Sequence, residues 1–115
     1  MQATPLPDLA ADRLYDRVWA AYLPTLHQRF MTHLQLDADT QQELRMHRGA
    51  SLRLRLWLNR RGTVQRVAVL TPASSESFTR ACRLAAERLG HLPDLPPAIL
   101  QRGQREGLEF DFGTR

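Results

Sequence analysis

Between Leu52 and Leu58 every second residue is leucine, and the residues between them are Arg53, Arg55 and Trp57. A period of two belongs to an extended strand, whose alternate side chains point to opposite faces, here one apolar and one polar. This run therefore predicts a half-buried strand in a sheet with one covered face. Asn59-Arg60-Arg61-Gly62 follows as a turn, with Gly62 free to take a positive φ. A second strand over 63–70 returns with Val67 and Val69 facing inward, and the two strands form an antiparallel hairpin.

After a loop from Thr71 to Ser75, Ser74 or Ser75 is placed to cap a helix over 76–89, with Phe78, Cys82, Ala85 and Leu89 as its buried stripe. Gly90 closes the helix, and Leu92-Pro93-Asp94-Leu95-Pro96-Pro97 is a proline-rich link. Leu108-Glu109-Phe110-Asp111-Phe112 returns to period two and predicts a third strand. The helix crosses over between the second and third strands, and a right-handed crossover sets the third beside the first. The expected fold is α+β: a three-stranded antiparallel sheet of order 2-1-3, with the helices on one face. The third strand is then an edge whose free amides and carbonyls can template an added strand.

Ahead of the sheet, Leu14, Val18, Ala21 and Tyr22, then Leu26, Phe30 and Leu34, recur at helical spacing over about 9–36. Asp8 is a candidate N-cap, and Pro24 predicts a kink or a new helix. Thr40 and Glu43 have the spacing of a capping box for a short helix over 41–47, ended by Gly49. Residues 1–8, with two prolines, read as a flexible lead-in, and 9–115 as a single domain. No stretch of 18 apolar residues and no signal-peptide pattern is present.

Motifs for chemistry are sparse. The four histidines, at 27, 33, 47 and 91, lack metal-ligand spacing. Ser74-Ser75 lacks the glycines of a nucleophile elbow. The single cysteine, Cys82, falls on the core stripe, and no glycine-rich phosphate loop exists, so neither a cofactor nor an enzymatic activity is expected. Glu109 and Asp111 could suggest paired carboxylates, but in a 2-1-3 sheet they lie beside Arg53 and Arg55, and cross-strand ion pairing is the simpler account. All 16 basic residues are arginine, against 12 acids, for a net charge of +4. Arg53, Arg55, Trp57 and Arg66 on the outer sheet face make an Arg-rich nucleic-acid-binding domain an alternative, although the acids of the third strand neutralise part of that patch.

The order of elements and several short words resemble the C-terminal periplasmic domain of the TonB/TolA energy-transducer family, from about Gln42 to Phe112. Leu44 to Gly49 is similar to the family's segment before its first strand. Leu54 to Val69 resembles its hairpin, with the turn glycine and spaced valines. Ser74-Ser75 with Phe78 and Ala81 resembles the serine pair ahead of its crossover helix, Leu92 to Pro96 its proline-bearing link, and Leu108 to Phe112 its closing strand. Glu76, Thr79 and Leu92-Pro93 depart from the commoner family residues and leave TonB against TolA open.

The resemblance implies a non-enzymatic periplasmic domain, tethered to the inner membrane, that couples a motor complex there to an outer-membrane transporter or a Tol-system protein. It implies that a short peptide of that partner adds as a strand along Leu108, Glu109, Phe110, Asp111 and Phe112, with the side chains of Glu109, Asp111, Arg53 and Arg55 tuning specificity. An accessory subunit of an envelope secretion or pilus system with the same fold is a further alternative, and a homodimer stays open.

Overall fold

A computed structural model describes residues 9–35, 41–42, 45–46 and 49–113, with side chains of the first helix described over 13–34. Six elements are bounded among the described residues: α1 (Leu9–Gln35), β1 (Ser51–Leu58), β2 (Val64–Thr71), α2 (Glu76–Glu87), α3 (Pro97–Arg105) and β3 (Leu108–Gly113). The strands form one antiparallel sheet of order β2-β1-β3. The lead-in, Asp8 and part of the expected helix over 41–47 lie outside the described residues. Gln41, Gln42, Arg45 and Met46 are helical.

The alternation of β1 sets the two faces. Leu52, Leu54, Leu56 and Leu58 are buried, while Arg53, Arg55 and Trp57 lie on the opposite side. β3 repeats the pattern, with Leu108, Phe110 and Phe112 buried and Glu109 and Asp111 exposed. β2 adds Val67 to the covered face, with Val69 half-buried. Over this face α1 contributes Tyr22, Leu26, Phe30 and Leu34, and α2 contributes Phe78, Cys82, Ala85 and Ala86. Phe30 meets Phe110 and Phe112 edge-on at centroid distances of 5.5 and 4.8 Å, and Phe78 stacks on Phe112 at 6.4 Å. Such ring pairs add about 0.5–1.5 kcal/mol each beyond their buried area, so this cluster fixes α1 and α2 against β3.

Three expectations are corrected. The first is at Pro24, which predicts a kink or a new helix: no new helix starts, since α1 runs through as one element. Proline inside a helix costs about 3 kcal/mol, whereas each large apolar side chain buried gains about 1.5–3 kcal/mol. Tyr22, Leu26, Phe30 and Leu34, all buried around Pro24, outweigh the penalty, and Pro24 itself faces solvent. Leu14 and Ala21, by contrast, are exposed, so the apolar stripe of α1 begins its burial later than the spacing implies.

The second concerns the run after the proline-rich link, to which the patterning assigns no element. It forms α3, with Pro97 in its first turn, where its missing amide is no loss. α3 buries only Ile99 and Gly103. Gly103 is there for space: a Cβ would stand 2.6 Å from Leu58 Cδ1. The third is one of boundaries. α2 ends at Glu87 rather than residue 89, with Ser75 as its cap, its Oγ accepting from the Phe78 amide at 3.2 Å.

The hairpin turn forms as expected. Gly62 has φ +79, and Asn59 Oδ1 accepts from the amides of Arg61 and Thr63. The link after α2 then pairs with the first residues of the returning strand. Val64 donates to Gly90 O at 2.9 Å, and Leu92 donates to Gly62 O at 3.0 Å. One end of the outer edge of β2 is thereby covered.

Two outcomes test this packing. Gly103→Ala forces a methyl against Leu58 and should destabilise the domain by about 1–3 kcal/mol in chemical denaturation. Burial pushes the Cys82 thiol up to about 12, so thiol reagents at pH 8 should label it only as fast as the protein opens. The sign of its linkage follows: above about pH 8.5 the unfolded chain loses this proton and the folded chain keeps it, so stability falls from there toward pH 12. That slope should be shallower in Cys82→Ala.

Candidate strand-addition edge

β1 has a strand on each side, so the sheet offers two rims, one on β2 and one on β3. The β2 rim is partly closed by residues 90–92. Among the described residues β3 pairs only with β1, from Ser51↔Gly113 to Leu56↔Leu108, and its other side carries no strand. It is placed there by a tight reversal after α3. Gly107 has φ +86, and a Cβ on it would lie 2.7 Å from Arg55 Cγ and 3.1 Å from the Leu56 carbonyl. Only glycine combines that backbone with that proximity.

The seven residues singled out in the sequence fall together here. Arg53 stands opposite Asp111 and Arg55 opposite Glu109. Arg53 Nε donates to Asp111 Oδ1 at 2.8 Å, and Arg55 Nη2 donates to Glu109 Oε1. The hydrogen bond from Arg53 holds the Asp111 carboxyl below the usual carboxylate range, and the same bond raises Arg53. Both pairs are substantially exposed, so they organise the outer face more than they stabilise it. Trp57 lies between two guanidiniums, Arg66 at 4.5 Å and Arg55 at 5.7 Å from its ring. Leu108, Phe110 and Phe112 are buried, so their side chains anchor β3 and leave its backbone and the outward Glu109 and Asp111 to a partner.

α1 supplies residues that sequence patterning did not connect to this edge. His27 Nε2 lies 3.1 Å from the Asp111 carbonyl oxygen, and its ring rests against Phe110 at 5.9 Å. A carbonyl only accepts, so Nε2 carries the proton. At the Leu108 end, Tyr15 and Trp19 of α1 stack at 6.5 Å, and Arg102 lies over Tyr15 at 4.3 Å. With Gly107 and Glu109 they line a cleft of about 220 Å³. Burial raises the Tyr15 hydroxyl above its ordinary pKa. The signal in the sequence was the i,i+4 spacing of 15, 19, 23 and 27, which lay beside the more apolar stripe.

Among the described residues there is no group of three His, Cys, Asp or Glu side chains able to hold a metal ion. No helix among them is long and apolar enough to cross a membrane. No protein-family model matches this sequence, and no curated protein matches it.

The Arg53–Asp111 geometry gives a direct expectation. The Asp111 carboxyl should titrate below about 3.9, followed by carboxyl carbon NMR, and should return toward that value in Arg53→Ala. Unchanged titration in the variant would remove Arg53 as the cause.

Proposed function

We infer that this domain is a TonB/TolA-like coupling module without enzymatic activity. It acts in the periplasm, tethered to the inner membrane in the full-length protein, and grips a short extended peptide of an outer-membrane transporter or Tol-type partner. The grip is strand addition along β3, in which main-chain hydrogen bonds supply affinity and the flanking side chains supply choice. The observation that supports it most is the position of β3: a strand at the rim of an antiparallel sheet, paired among the described residues with a strand on one side only. Its side chains are already committed, inward to the core and outward to arginines, which suits recognition through the backbone.

The competing nucleic-acid reading draws on the outer-face arginines. Arg53 and Arg55 are each engaged by a carboxylate of β3. Arg66 with Trp57 is then a narrow platform for successive bases.

Peptides from candidate outer-membrane receptors, titrated into isotope-labelled protein, should shift the amides of 107–113 and leave those of β2 nearly unmoved. Methylating alternate amides of a binding peptide should abolish the shifts, since it removes the donors that strand pairing needs. Shifts clustered on 60–66 and growing with oligonucleotide would instead favour nucleic acid.

A further inference from the structure

The two ends of the β3 rim differ, and α1 makes the difference. Tyr15, Trp19, Leu23, His27 and Met31 follow one another at four-residue steps, and each is half-buried. Side chains at that spacing form one continuous row on a helix. The row meets β3 at two points. Tyr15 and Trp19 share the cleft with Gly107 and Glu109 where β3 begins, and His27 reaches the Asp111 carbonyl near where it ends. Leu23 stands between those points, and Met31 lies one step beyond His27. Among the described residues, a rim that carries no strand thus runs beside a row of mostly apolar side chains.

We propose that this groove receives an extended segment of another protein with apolar residues at alternate positions, and that His27 must release the Asp111 carbonyl for pairing to run the length of β3. The proposal rests on strand addition and specifies what the strand must carry. Side chains on a strand alternate between faces. One set would project to the outer face, beside Glu109 and Asp111. The other would project to the inner side, against Trp19 and Leu23, where apolar groups gain by leaving water. One of them would lie over Tyr15 and Trp19 at the cleft by Gly107, whose remaining walls are the charged Arg55, Arg102, Glu106 and Glu109. The backbone amide that arrives opposite Asp111 takes the place of the imidazole.

Charge argues for a different protein rather than a second copy. Two β3 strands paired antiparallel would set the outward-facing acids of one copy, Glu109 and Asp111, beside those of the other, a repulsion that Arg53 and Arg55 on β1 offset only in part. Like charges across a strand pair are destabilising. A segment with neutral or basic outward positions meets no such repulsion. In the free state His27 also blunts the rim, because a carbonyl already engaged is a poorer template for unwanted pairing.

The test uses the whole chain and a capped eight-residue peptide of alternating valine and threonine, with a serine-for-valine peptide as control. The first should shift the amides of 108–113 and the Trp19 indole resonance, and the control should bind at least tenfold more weakly. His27→Ala should tighten binding about threefold to tenfold, the change expected for one hydrogen bond no longer broken, and Trp19→Ala should weaken it. The Trp19 resonance of the unmutated protein keeps the outcome readable if that variant folds poorly. Shifts on β3 with equal affinity for both peptides and no effect of either substitution would overturn the groove and leave strand addition standing. No shift on β3 with these peptides or with receptor peptides would overturn both. Concentration-dependent dimerisation in sedimentation, mapping to β3, would overturn the choice of a different protein as partner.

Discussion

The sheet depends on β1. It is the strand bonded on both sides, and its four alternate leucines are the centre of the covered face. A one-residue slip in its pairing would carry Arg53 and Arg55 into the core and the leucines into water. That penalty fixes the register of both neighbours. It places Asp111 opposite Arg53 and Glu109 opposite Arg55, so the outer ion pairs follow from the inner packing. The aromatic contacts of Phe30 and Phe78 with β3 then hold α1 and α2 over that face.

Much of this was legible because the strands obey one period each. Leu52–Leu58 and Leu108–Phe112 alternate cleanly, and the sheet order followed from a single crossover helix with a serine cap. α3 was not legible. It buries only Ile99 and Gly103, and its glycine lowers helix propensity by about 1 kcal/mol relative to alanine. The local signals it does carry, a proline in its first turn, arginines in its last and Gly107 just beyond, lie in a run that reads as the tail of the proline-rich link. At Pro24 no second helix begins, because a local penalty is outweighed by burial on the far side of the helix.

For the candidate edge, the strand and its ion pairs could be read from alternation, but the part played by α1 could not. His27 and Asp111 are 84 residues apart, and their meeting depends on how α1 lies across the sheet. Tyr15 and Trp19 likewise gain meaning only from Gly107, whose tight reversal brings β3 alongside them. The two rims of the sheet became unequal through similar long-range contacts, with residues 90–92 closing one end of β2.

The two tryptophans occupy separate settings. Trp57 is flanked by guanidiniums on the outer face, and Trp19 lies in the cleft beside the start of β3. The domain therefore contains an intrinsic optical probe for each of its surfaces. A visitor to the arginine layer perturbs one indole and a visitor to the rim perturbs the other, so single-tryptophan forms can distinguish the two approaches without any added label.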